Sequence, residues 1–459
     1  MAFSIDHIFQ IPLNKINRLF IVPKPDVSKL MRIPVRDIVL WMYYFGIFSA
    51  FYISLTPWPL WIVFPYVGVI ASLPILLSFL MSHTLGVPLF TRKDFVLPAL
   101  TCAICVFVMA FLGRKNALGF LGDAFSLVVF FSLFTLNQKV LIKIGDALSK
   151  SMGFIVLLSM IAFVLHLMGF PLPHFPIGFP YGDYTFENYI FFLIDDRAAD
   201  ILIPRFHSIF LEPSHMSMAC VALLLTQMKK WKKWYNKSMF AAILFSFSLA
   251  GYIFLVVLYF VSSWIKHKSI AKQIVVLASV IVVVAFIALV YNDGDNMINE
   301  LILQRLEVSD DGKLSGDNRV TESFDGVYRD FSNSDRILYG EGLIKYEKYS
   351  EGGNAGYKVF LFCYGLISLF FLILFFLTFA HTGRFFKQKV IMLVVSFISF
   401  IPHGYPLIFY FFIPLYIMTF KDFDVEQKGK SPLPTTSRKA TGANFARDEG
   451  RGPVAGKLN

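Results

Sequence analysis

The feature that most restricts this chain is a recurring apolar run, too long for any soluble fold. The stretch IVVLASVIVVVAFIALVY (274–291) carries no charge, and about 18 such residues are what a helix needs to cross a bilayer. In lipid every backbone N–H and C=O must find a partner inside the protein, so only helices or closed barrels remain. Barrel strands would alternate in segments of about ten residues, and no such segments are present. Composition agrees: of 459 residues, 56% are hydrophobic and 16% charged. The expected fold class is an all-α polytopic integral membrane protein.

Hydropathy places apolar runs at 38–56, 60–81, 95–113, 119–137, 150–171, 214–228, 238–264, 272–292, 358–380, 389–402 and 404–420. The net charge of +11 matters less than where its basic residues sit, because cytoplasmic loops carry the excess of Lys and Arg. Lys15, Arg18, Lys24, Lys29, Arg32 and Arg36 assign the basic segment 1–37 to the cytoplasm. TRKD (91–94), the lysines of 139–150 and MKKWKKWYNK (228–237) return to that side. The alternation then fails once. A single crossing by 238–264 would put KHKSIAK outside and the acidic 293–356 inside. Two short crossings, with Ser246, Ser248 and Gly251 at the bend of FSFSLAGY, restore it. The competing reading is one long tilted helix. With the hairpin, the expectation is about twelve transmembrane helices with both termini cytoplasmic.

Segment 38–420 is then one transmembrane domain with two outward-facing loops, 172–213 and 293–356. Segment 421–459, polar and rich in Gly, Pro and Ser, is expected to be a disordered cytoplasmic tail. Residues 1–37 are basic and broken by prolines, unlike a cleavable signal peptide. Cys102 and Cys105 have CxxC spacing, but they lie inside a span with no histidine or acid beside them. With Cys220 and Cys363, they read as packing residues rather than as zinc ligands or a redox pair.

The chemistry gathers in RFHSIFLEPSHMSM (205–218), where an arginine, two histidines and a glutamate interrupt apolar sequence. Pro213 suits the first turn of a helix. The N-terminus of that helix would face outward, with its dipole and unpaired N–H groups open to an anion. Arg205, on the approach, adds a forked donor suited to phosphate oxygens. Its alternative is an interfacial arginine paired with Glu212 or a lipid headgroup. His207, Glu212 and His215 can hold or move a proton. The plainer roles are packing for each histidine and helix capping for the glutamate. No HExxH spacing or further ligand cluster points to a metal. In the second loop Arg305, Arg319, Arg329 and Arg336 are candidate anion ligands, each equally at home in solvent.

R-F-H-S-I-F-L-E-P-S before a span resembles the arginine motif of the O-antigen polymerase (Wzy-type) and O-antigen ligase superfamily. FSFSLAGY is similar to that family's serine-bearing membrane segment. S-G-D-N-R, Y-G-E-G and N-A-G-Y…Y-G-L follow the order of elements in its large periplasmic loop. The resemblance covers roughly 36–420 and rests on order more than on any one string. It implies a multi-pass protein of the bacterial inner membrane, active on the periplasmic face. The implied reaction is transfer of a glycan from undecaprenyl diphosphate to a sugar hydroxyl. Arg205 and Arg319 match the family's two diphosphate-holding arginines; Arg305, Asn354, His207 and His403 are further candidate substrate contacts in this chain. Ligases carry a histidine beside the asparagine of the last motif, where this chain has Gly353 and Asn354. That departure favours the polymerase branch and leaves Glu212, His215, His403 or the substrate itself to supply a base.

No nucleotide-binding glycine loop is present, which fits energy carried by the lipid-linked donor, with no cofactor. The expected partners are the undecaprenyl-diphosphate-linked oligosaccharide, membrane lipids and a chain-length regulator, and no nucleic acid. The rival readings are a ligase acting on lipid A core and, in another class, a lipid-linked oligosaccharide flippase. A transporter would set ionisable residues along a mid-membrane path, whereas here they gather at the outer face.

Overall fold

The computed structural model describes residues 34–423, except 88, 91, 93–95, 182–183, 197–203, 229, 266–268, 291–298, 300–321, 350–355, 401–403 and 405–406. The segments 1–33 and 424–459, which hold most of the basic N-terminal stretch and of the polar tail, lie outside the described residues, as do Arg305, Arg319, Asn354 and His403.

The protein is mainly helical, and five of its helices are long and apolar enough to cross a membrane. These are α1 (Pro34–Ser54), a 3-10 turn (Trp58–Tyr66) continuing into α2 (Val67–Thr84), α5 (Gln138–Leu167), α9 (Ile270–Val290) and α12 (Gly356–Thr382). Shorter apolar helices stand among them: α3 (Val96–Leu112), α4 (Ala117–Thr135), α6 (Pro213–Thr226), α8 (Leu249–Ile265) and α14 (Phe409–Met418). α7 (Trp234–Phe245), α10 (Glu322–Ser332), α11 (Leu343–Tyr346) and α13 (Phe386–Phe400) complete the helical elements. Val275, Val282 and Phe286 on α9 are more than half exposed. Water would penalise such a surface by roughly 25 cal/mol per Å², and lipid would not.

The all-α expectation needs one amendment. The segment 172–213, expected from its charge pattern to face outward, contains a three-stranded antiparallel sheet: β1 (Phe175–Gly178), β2 (Thr185–Asn188) and β3 (Leu193–Asp195). Strands of three or four residues are too short to show a period of two in sequence. The packing beneath them makes them strands: Phe179, Phe186, Leu193 and Leu211 close over Trp61 of the 3-10 turn.

The chain breaks between α7 and α8, and the residues expected at a bend make that break. The Ser246 hydroxyl donates to the Ile243 carbonyl (2.6 Å) and accepts from the Ser217 hydroxyl (2.9 Å). Phe247 takes a φ of 45°. Ser248 then caps the next helix by accepting from the Gly251 N–H (3.3 Å). A Cβ on Gly251 would meet Ser217, so glycine permits this approach. Across the break the Tyr252 hydroxyl donates to the Leu244 carbonyl (2.8 Å), and α8 packs against both α6 and α7.

Two ends of the bundle follow from these contacts. One carries the sheet, the 204–212 loop, the 246–248 bend and the 322–349 segment; we call it the sheet end. There the Leu343 N–H donates to the Gly113 carbonyl (3.0 Å), and the Glu341 N–H to the Phe362 carbonyl (2.6 Å). The other is the clamp end, where Asp146 accepts from Lys421 (2.7 Å), Lys230 (3.1 Å) and Gln227 (2.8 Å). Arg92 lies at that end too, donating to the Tyr416 hydroxyl (2.7 Å) and the Thr382 carbonyl (2.9 Å). The two loops expected to share a face thus both have described residues at the sheet end, and the basic 227–233 turn is at the other.

Candidate functional site

The approach loop to α6 is held at nearly every residue. The Phe206 N–H donates to the Phe245 carbonyl (3.1 Å), the Ser208 hydroxyl to Ser159 (2.6 Å), and the Trp58 N–H to the Ile209 carbonyl (2.9 Å). Ser208 itself sits at a φ of 57°. Arg205, half-buried, therefore extends from a fixed backbone, which reduces the entropy a ligand would have to remove.

Glu212 stands at the N-cap of α6 in extended conformation, but its carboxylate makes no capping hydrogen bond. The capping role open to it in sequence is not the one it takes. The carboxylate instead accepts from the Ser214 hydroxyl (2.9 Å) and lies 3.8 Å from His215 Nε2. Pro213 occupies the first helical position, where its missing N–H costs nothing. The rest of that turn presents backbone N–H groups at the positive pole of the dipole. His215 packs 5.7 Å from the Tyr410 ring, so α14 forms the opposite wall.

His207 takes the packing role. It is 2% exposed, bonds through Nδ1 to the Phe210 carbonyl, and lies 5.8 Å from the Phe186 ring. Burial pushes its pKa down to about 4, against the pull of the Phe210 carbonyl and of Asp195 and Glu212. The ring is therefore neutral near pH 7 and poorly suited to carry a proton there. The same balance places Arg205, Asp195 and Glu212 within electrostatic reach of one imidazole, and Arg205 also acts on the Tyr252 hydroxyl.

Behind the Tyr410 wall is a cavity of about 460 Å³ lined by Ser54, Lys115, Asp123, Ser126, Tyr364 and Phe409, among others. Ser54 connects the two sites, since its Oγ accepts the Tyr410 N–H (3.0 Å). Tyr364 reaches the cavity because α12 kinks at Gly365 (φ 71°). The kink frees the carbonyls of Phe362 and Cys363, which accept instead from Glu341 and Gly342 of YGEG. A Cβ at Gly365 would collide with the Leu338 carbonyl, so only glycine fits. The Glu341 carboxylate, 7% exposed, pairs with Arg336 and Lys345. Arg336 is thus already committed within the loop, and Arg329 pairs with Asp325 (3.5 Å).

Glu212 and His215 are brought together with Arg205 nearby, whereas the second arginine of the expected pair, Arg319, falls outside the described residues. Tyr410, Tyr364, Lys115 and Asp123 were missed. Asp123 gave a usable signal, being an acid inside the apolar run 119–137; the tyrosines gave none. All four cysteines are buried. Among the described residues no group of three or more His, Cys, Asp and Glu side chains could hold a metal ion. No protein-family model, curated protein or solved structure matches the chain, so no relative assigns a role to these side chains.

Proposed function

We propose that this protein is an inner-membrane polysaccharide polymerase. It would transfer a glycan from undecaprenyl diphosphate to the sugar hydroxyl of a second lipid-linked repeat unit. In this reading the chain crosses the membrane about twelve times, the α7–α8 hairpin included, and the sheet end faces the periplasm. The observation that carries it is Glu212 beside His215 at the first turn of α6, on a loop fixed by its neighbours, with Arg205 and Glu212 both within electrostatic reach of His207.

Arg205 and the first-turn N–H groups hold the diphosphate and neutralise the charge that grows as the sugar–phosphate bond breaks. The acceptor hydroxyl attacks the anomeric carbon, and a new glycosidic bond replaces the bond to phosphate. Its proton passes to Glu212 or His215, whose 3.8 Å separation lets one stabilise the other once a proton has moved. Arg319 completes the anion site in the resemblance to the O-antigen polymerase and ligase superfamily. Undecaprenyl diphosphate leaves without a metal or cofactor.

The test is deletion of the gene in its host, with the surface glycan resolved by gel. Lipid A core bearing a single repeat unit supports the polymerase. Lipid-linked polymer with bare core makes the protein a ligase, and loss of all surface glycan makes it a flippase.

A further inference from the structure

The cavity behind Tyr410 changes character with depth. Along α4 from the sheet end inward, its wall runs from Asp123, paired with Lys115, through Ser126 about one turn on, to Phe130, with Val106 of α3 also in the lining. From Asp123 to Phe130 the helix rises by about 10 Å. Its volume of about 460 Å³ falls within the roughly 300–1,000 Å³ typical of small-ligand sites. A hydrated ligand would lose water against the deeper wall and gain no partner there; a hydrocarbon chain loses nothing.

The ion pair in the lining sets the headgroup. Lys115 Nζ reaches both Asp123 oxygens, at 2.9 and 2.7 Å, and the two side chains are 24% and 26% exposed. The pair is neutral overall, so an anionic head gains against the lysine and loses against the aspartate. A head carrying both phosphate and ammonium gains at each.

We propose that this cavity seats one lipid from the leaflet at the sheet end. Its hydrocarbon chain lies between Val106 and Phe130, and its zwitterionic phosphate–ammonium head lies on Lys115 and Asp123. Through Ser54 the seat shares a wall with Tyr410, so an occupied cavity supports the backbone that carries the Tyr410 ring beside His215. The inference does not depend on the polymerase reading. It needs only a membrane around the protein.

The test is native mass spectrometry of the delipidated full chain in mild detergent, titrated separately with phosphatidylethanolamine, phosphatidylglycerol and undecaprenyl phosphate. The expected result is one retained phosphatidylethanolamine, with each of the other two at least about tenfold weaker. Lys115→Gln/Asp123→Asn should weaken retention about tenfold, and Val106→Trp should abolish it. Should Val106→Trp not accumulate, Ser126→Phe fills the same space from α4. Unchanged retention in the neutral-pair and filled variants overturns the site. Equal retention of either anionic lipid by the wild type overturns the headgroup assignment.

Discussion

At the clamp end, Asp146 gathers Gln227, Lys230 and Lys421, and Arg92 lies 4.5 Å over the Phe420 ring while bonding to two further elements. At the sheet end the backbone carries the strain. Thr56, Arg114, Ile190, Ser208 and Phe247, the non-glycine positive-φ residues among those described, all lie there. A residue held in that region costs on the order of 1–3 kcal/mol, and the sheet end holds five of them. The contrast teaches where the fold spends stability. Both ends hold ion pairs, but among the described residues the strained turns gather at the sheet end, where Glu212 is set beside His215. Such strain survives only where the surroundings over-determine it, and the hydrogen bonds of 204–212 do that here.

The two ends separate most sharply in their effects on activity and on stability. Arg205→Lys and Glu212→Gln should each keep the protein in the membrane at wild-type level. The first replaces a planar fork by a point charge, and losing a charge-assisted bond of about 1.5–3 kcal/mol costs at least about tenfold in rate. Glu212→Gln should also reduce polymer strongly, since its carboxylate caps nothing. Polymer length and yield, normalised to protein level, are the readout. Wild-type polymer from both variants would remove the sheet-end cluster from the reaction.

Acid is the next lever. His207 is depressed to about 4 by burial, against an ordinary value of 6.5. The unfolded chain binds the proton first, so stability is full above about pH 6.5 and falls as the pH drops towards 4. The loss approaches ~3 kcal/mol. Thermal unfolding in detergent across that window should show the slope, and His207→Asn should flatten it while lowering the stability at neutral pH.

At the clamp end Asp146→Asn should do the reverse of the Arg205 and Glu212 variants. It leaves two lysines facing a neutral amide and destabilises by about 2 kcal/mol, seen as a lower unfolding temperature. Polymer made per folded molecule should stay unchanged; a loss of activity without a loss of stability would erase the distinction between the ends. The smallest effect belongs to Ile190, a β-branched residue at a φ of 69° whose side chain is 43% exposed. Ile190→Gly relieves the Cβ strain at little packing cost and should stabilise by about 0.5–1 kcal/mol. Its carbonyl would still accept from Trp58.

The amino-acid order alone determined the solvent and the helices. Uncharged runs demand helices in lipid, and the basic clusters assign the turns to two sides. The bend at Ser246, Ser248 and Gly251 was legible because a failed charge alternation and a serine–glycine string point to the same residues. The start of α6 was legible from Pro213, and Arg205, Glu212 and His215 stood out because charge is rare beside apolar sequence. What the order could not supply was partnership across distance. The strands of 175–195 are too short for their period to register, and exist because Trp61, more than a hundred positions earlier, lies beneath them. Tyr410 faces His215 only after α14 packs on α6, and Tyr364 turns into the cavity only because YGEG satisfies carbonyls freed at Gly365. Helix formation and burial in lipid are local properties of composition; a site is a set of distances, and those are fixed only when the helices pack.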